Sequence, residues 1–320
     1  MRNSTPPTHV INLSDQIYAF EISGSEWTTN LLCIAVTKKI ILGIVKFPEE
    51  SEIEQFEWHQ LKELYHESRC HAITFAPETS LAVLPKVVTF CAAGADFILR
   101  IYRSDLQNSD TIQQLKGHTS YINDVAWEPE GEYLASVSDD HTCIIWNARD
   151  NFETVTNFCL TSAGMSVKWH PEEIGKMLVA EKNGIIHIYN AKSQQVIMSL
   201  ESPKIPLMCA DWALSNRLFI TAVAGGDVFT WDLRRASRPV ETKPIHEDGG
   251  RIVKFNPNNE LILASVGRPD ITLKVHNMKS PVPQIEASVK LFGGLSWHHR
   301  LPYVAIGCDR KLCFWKVQMK

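Results

Sequence analysis

No two of the eight cysteines in this chain, at 33, 70, 91, 143, 159, 209, 308 and 313, are spaced as C-x-x-C. The spacing that metal and redox motifs use is therefore missing. Most of these cysteines lie inside apolar, strand-like runs such as Phe90-Cys91-Ala92, which predicts reduced, buried thiols in an intracellular protein. A P-loop, a dinucleotide glycine fingerprint, G-x-S-x-G and H-E-x-x-H are all absent, so no catalytic residue, no enzymatic activity and no cofactor is expected. The pairs Trp169-His170, Cys70-His71 and His298-His299 are poor metal ligands, because neighbours on a strand point to opposite faces. Strong charge is lacking too. A net charge of −4 and a pI of about 6.3 argue against direct nucleic-acid binding, which calls for a basic face. The short basic pairs at Lys38-Lys39, Arg234-Arg235 and Arg310-Lys311 read as solvated loop tips. No apolar run approaches the roughly 20 residues that span a bilayer. The opening MRNSTPPTHV has no apolar stretch of the signal-peptide kind, so neither membrane insertion nor secretion is expected.

What is present is patterned. Residues 115–147 read LKGHTSYINDVAWEPEGEYLASVSDDHTCIIWN. Ile122 to Trp127 and Tyr133 to Ser138 alternate apolar and polar, and Thr142 to Trp146 is β-branched and aromatic, so three short strands are expected. Glu128-Pro-Glu-Gly and Asp139-Asp-His between them are turn chemistry. The stretch resembles a WD repeat, one four-stranded blade of a β-propeller.

The repeat recurs. An aromatic near the end of an entering strand stands at Phe20, Phe75, Trp127, Trp169, Trp212, Phe255 and Trp297, at intervals of 42, 43, 43 and 42 from Trp127 on. A closing strand ends near Val45 and at Tyr102, Trp146, Tyr189, Trp231, His276 and Trp315. Two landmarks keeping step predict an all-β, seven-bladed propeller over residues 9–320. Residues 1–8, polar with Pro6-Pro7, are expected to be disordered. The strand His9 to Leu13 has no partner in its own unit, and little chain follows Trp315. The N-terminal strand is therefore expected to close the ring by supplying the outer strand of the last blade.

The polar positions suggest an internal network. His118 lies nine residues before Trp127, and Asp140 six before Trp146. A histidine donating to that aspartate, with the Trp146 indole and a serine hydroxyl (136 or 138), would form a satisfied buried set. The same offsets place His66 with Asp96 and His246 with Asp270. Units four, five and seven lack the histidine and are expected to rest more on apolar packing.

Two insertions in the first two units stand out. Pro48 to Gln60 carries Phe56 and Trp58 among acidic residues, and Thr79 to Lys86 has an apolar centre at Leu84. Aromatics set among charges are common interface anchors, and exposed apolar loops are either covered by a partner or folded onto a neighbour.

Less generic strings carry a closer likeness: ASVSDDHTCIIWN (135–147), GMSVKWHPEE (164–173), LVAEKNGII (178–186), SLESPKIPLM (199–208), GLSWHHRLP (294–302), FAPETSLAVLPKVVTFC (75–91) and CDRKLCFW (308–315). By these the chain resembles the small WD-repeat nucleoporins of the Y-shaped outer-ring complex of the nuclear pore. The resemblance implies a non-enzymatic scaffold at the nuclear envelope, monomeric as a propeller. It would dock on the large propeller-and-helix nucleoporin, nucleoporin one-sixty, beside the other Y-complex subunits, with a place at kinetochores in mitosis in some lineages. A second likeness is local: Trp231-Asp232-Leu233-Arg234 fits the W-D-x-R ending of substrate receptors of cullin-four ubiquitin ligases. There Arg234 would dock the adaptor.

Overall fold

The computed structural model describes residues 4–28, 30–50, 54–107 and 110–319. Among them every regular element is a strand, apart from two single 3-10 turns at Glu26–Thr28 and Leu233–Arg235. The strands form seven four-stranded antiparallel sheets, so the fold is the all-β, seven-bladed propeller expected.

The chain divides into two compact units. One holds blades three to six within Gly117–Val289. Blade three comprises Ile122–Trp127, Tyr133–Ser138, Thr142–Asn147 and Glu153–Cys159. Blade four is Gly164–Trp169, Lys176–Glu181, Ile185–Asn190 and Gln195–Glu201, and blade five Leu207–Trp212, Phe219–Ala224, Asp227–Asp232 and Glu241–Pro244. Blade six is Gly250–Asn256, Asn259–Gly267, Thr272–Asn277 and Ile285–Ser288. The second strand of each of these blades is buried on both faces, and for that reason it reads as a short apolar run. The outer strands alternate, as Glu153–Cys159 and Gln195–Glu201 do, with one face left to solvent.

The other unit holds blades one, two and seven. Blade one is Ala19–Ile22, Leu31–Val36, Lys39–Lys46 and Glu57–Tyr65, and blade two Cys70–Phe75, Val88–Gly94, Ile98–Ser104 and Asp110–Lys116. Blade seven takes Phe292–Trp297, Tyr303–Cys308 and Lys311–Lys316 from the end of the chain and His9–Asn12 from its beginning. The register runs from His9 opposite Phe314 to Asn12 opposite Lys311. The join is packed by rings. His9 stacks on Phe56 at 4.4 Å and Phe47 on Tyr303 at 4.6 Å, with Phe314 edge-on to Phe47.

The tail differs from the disorder expected over 1–8. Residues 1–3 lie outside the described set. Thr5 N–H donates to Glu286 O at 2.8 Å, and Thr8 N–H to Phe314 O at 2.7 Å. The backbone finds strand edges there, which composition does not reveal. Residues 51–53 of the Pro48–Gln60 insertion also fall outside the described set.

Blade one departs from the repeat at its closing aromatic. Counting from the hairpin, Lys39 corresponds to Lys311 and Gly43 to Trp315. The sequence placed this landmark near Val45; the register moves it to Gly43. The Trp58 ring, arriving from the outer strand, covers the space that a side chain at Gly43 would take. Blade one thus keeps its aromatic but draws it from a neighbouring strand.

Candidate partner surface and the blade networks

Side-chain hydrogen bonds set the blades at two ends. At one end, in blades four, six and seven, the residue after the entering aromatic holds the following turn. His170 Nδ1 accepts from the N–H of Glu173 at 2.9 Å, and His298 Nδ1 from that of Leu301 at 2.9 Å. Asn256 Oδ1 accepts from Asn258 N–H at 2.9 Å in the same way, whereas Glu128 Oε1 reaches across to Gly175 N–H, at 2.8 Å, in the corresponding turn of blade four. The histidines that follow Trp169 and Trp297 are therefore turn caps. Among the described residues no group of three or more His, Cys, Asp or Glu is placed to hold a metal ion.

At the other end lies the network of blade three. His118 Nδ1 donates to Asp140 Oδ2 at 3.0 Å, and its Nε2 accepts from the Ser136 hydroxyl at 2.8 Å. Ser136 Oγ in turn accepts from the Trp146 indole N–H at 3.0 Å. The carboxylate can only accept and the indole can only donate, which fixes the direction of each bond. Asp140 also accepts from Thr119 N–H at 2.8 Å and from the Thr142 hydroxyl at 2.5 Å. Burial works against the Asp140 carboxylate, yet these donors and His118 hold its pKa below the ordinary value. Burial lowers that of His118, and Asp140 opposes it. The imidazole is neutral and fully used.

The other two pairs are not formed, in blade two because of the residue two before the closing aromatic and in blade six because of the hairpin. In blade three the residue two before the closing aromatic is Ile144. In blade two it is Arg100, which takes both oxygens of Asp96, at 3.0 and 2.5 Å, and reaches Glu67 at 2.9 Å. His66 Nδ1 instead meets the Tyr102 hydroxyl at 2.7 Å, and its Nε2 has no partner among the described residues. In blade six that position is Lys274, and the hairpin is one residue longer than in blade three. Asp270 sits exposed with φ near 60°. His246 Nε2 pairs with Ser265 at 3.0 Å, while its Nδ1 has no partner among the described residues.

Blade four corrects the expectation that blades without the histidine lean on apolar packing. Buried Glu181 accepts from Thr161 and Ser162 N–H, both at 2.8 Å, and from the Thr161 hydroxyl at 2.7 Å. A carboxylate reaching backward replaces the histidine reaching forward. Blade five follows the expectation more closely: the Trp231 indole N–H has no partner among the described residues.

The residues named as partner contacts fall in three places. Phe56 and Trp58 are half-buried and packed on the core of blades one and seven. Arg234 is turned back on Asp232, with bonds of 2.9 and 2.6 Å from Nε and Nη2. Leu84, by contrast, is 81% exposed, and Val83 beside it 63%. The loop carrying them is a small hairpin whose rung is Ser80 with Val87. Leu81 anchors it, packing on the core beneath and donating its N–H to Trp27 O at 3.0 Å. Trp27 itself is 63% exposed. Trp27, Val83 and Leu84 are thus large apolar side chains left in water on two loops tied together by a backbone bond. Trp27 was missed in the sequence because a single aromatic in a polar loop carries no periodicity. A groove of about 550 Å³ also runs past His141, Lys182, Asn183, Ile205 and Pro206, without a cluster of reactive groups.

Seven four-stranded blades, with a His–Ser–Trp–Asp network in the best-kept of them, define a WD-repeat β-propeller protein; residues 109–147 match the family described as WD domain, G-beta repeat. The whole chain is 49% identical over 325 residues to nucleoporin Nup37 of Drosophila melanogaster, covering all of both chains. It is 39% identical over 318 residues to nucleoporin Nup37 of Mus musculus and of Homo sapiens, covering 97% of each chain. The chain belongs to the nucleoporin Nup37 family.

Proposed function

We propose that the chain is a non-enzymatic scaffold subunit of the Y-shaped outer-ring complex of the nuclear pore. It docks there on a large scaffold nucleoporin, nucleoporin one-sixty, and supports pore assembly and nucleocytoplasmic transport. The observation that carries this reading is full-length identity to proteins named as nucleoporins. The structure lends support: it offers rigid sheets and exposed apolar loops, which suit partner binding more than catalysis. Localisation at the nuclear envelope, and at kinetochores in mitosis, follows from the same reading. The apolar loops Trp27 and Val83-Leu84 are the surface proposed to meet the partner, since tryptophan is a frequent interface anchor and exposed apolar patches mark partner sites.

The test is co-purification from cells with the intact chain and with Trp27→Asp/Leu84→Asp. Outer-ring nucleoporins should be recovered with the intact chain and fall at least tenfold with the variant. Because both side chains already face water, the variant's melting temperature should stay within about 1 °C. Full recovery with the variant removes these loops from the interface. Recovery of a cullin-four adaptor in place of nucleoporins, lost in Arg234→Ala, overturns the scaffold reading itself.

A further inference from the structure

We infer that blade six carries a binding site for a small oxyanion, a phosphoryl group, which completes the hydrogen-bond network that its own aspartate leaves open. This goes beyond the scaffold reading and does not depend on it.

The starting point is the difference between two blades with the same offsets. In blade three, the His118 Nδ1 proton goes to a carboxylate oxygen 3.0 Å away. In blade six, His246 is set in the same way: it is 5% exposed, and its Nε2 pairs with Ser265, the register equivalent of Ser136. The ring's other nitrogen, Nδ1, has no partner among the described residues; in the tautomer of blade three it carries a hydrogen that a ligand oxygen can receive. A buried donor left unpaired costs about 1–3 kcal/mol. The longer hairpin has carried Asp270 away.

A cavity of about 290 Å³ opens beside that ring, lined among others by His246, Arg268, Thr272, Lys274 and Ser288. It is large enough for a phosphoryl group. Lys274, at the position that is Ile144 in blade three, replaces an apolar side chain by a cation inside the same network. Its Nζ lies 2.7 Å from Ile245 O and 3.8 Å from Glu286. The Arg268 guanidinium lies on the exposed hairpin. Three carboxylates also line the cavity, those of Glu247, Asp270 and Glu286, of which Glu247 and Asp270 are exposed. Burial first, and then Lys274 and His276, push the His246 pKa down to about 3. At the inner end the Lys274 ammonium stands near the ring, paired at 3.8 Å with part-buried Glu286, while the carboxylates of Glu247 and Asp270, at exposed positions, are screened by water. A ligand oxygen at the inner end takes the place of the Asp140 carboxylate, with Lys274 and Arg268 balancing its charge.

Inorganic phosphate and O-phosphoserine are the probes, titrated into the full chain at low ionic strength by calorimetry. The His246 ring N–H is followed by nitrogen-labelled NMR. Saturable one-to-one binding of inorganic phosphate, with a shift of the His246 resonance, is expected. Binding of O-phosphoserine alone supports the same site with a phosphorylated residue as the source. Lys274→Met and Arg268→Ala should each weaken binding at least fivefold; Arg268→Ala, at an exposed position, should leave the melting temperature in place, whereas Lys274→Met keeps the volume but gives up the bond to Ile245 O, so it should melt lower and is titrated well below its melting temperature. Absence of saturable binding by either probe, or binding unchanged in both variants, overturns the inference.

Discussion

Replacing His118 by alanine tests the blade-three network most directly. The substitution removes bonds to Asp140 at 3.0 Å, Ser136 at 2.8 Å and Thr142 at 3.0 Å. Asp140 keeps Thr119 and Thr142 as donors. Ser136 does not recover: its oxygen is held by Trp146, its hydroxyl proton loses its acceptor, and the residue is fully buried. One orphaned buried donor costs about 1–3 kcal/mol, and the void left by the imidazole adds about 1–2 kcal/mol. A loss of about 3 kcal/mol is expected, or a melting temperature lower by about 4–5 °C for a chain of this size. Urea unfolding followed by tryptophan fluorescence measures it. The double variant His118→Ala/Ser136→Ala removes the orphan with its partner, so it should cost about 1–2 kcal/mol less than the sum of the single variants. An unfolding free energy within about 0.5 kcal/mol of the parent, or strictly additive costs, would refute the reasoning.

Acid should unfold this chain before most carboxylates titrate. Burial lowers the pKa of His66 and His276 to about 4, and of His246 and His298 to about 3, from 6.5. The unfolded chain therefore binds more protons at these sites than the fold does. Their contribution is complete above pH 6.5 and is lost as pH falls toward 4–3, at up to about 1.4 kcal/mol per pH unit for each residue; circular dichroism against pH should show stability falling from pH 6.5 downward, and a flat profile from pH 7 to 4 would contradict it. In blade one, Gly43→Ala puts a methyl group into the Trp58 ring and close to His59 O. It should destabilise by about 1–3 kcal/mol, and a neutral result in urea unfolding would show that Trp58 does not occupy that space in solution.

The seven blades were legible because their signal is local and periodic. A strand buried on both faces must read as a short apolar run, and the aromatic that ends each entering strand recurs at the length of one blade. The N-terminal strand was legible for the complementary reason: an apolar run without a partner pointed to a blade with a missing strand. His118, Ser136, Trp146 and Asp140 could be read together because blade three keeps standard side chains at every neighbouring position.

Tertiary structure decided what offsets along the chain cannot. Counting six residues back from the closing aromatic finds Asp96 and Asp270 as readily as Asp140. Hydrogen bonds answer instead to the competing donor at the next position and to the length of the hairpin. Arg100 outbids His66 for Asp96 with two short charged bonds, and one extra turn residue swings Asp270 into water. Likewise Trp58 and Leu84 both read as exposed anchors, being large apolar side chains in polar segments. Only the fold shows that Gly43 leaves room to bury the first, whereas the hairpin rung at Ser80 and Val87 holds the second out in solvent.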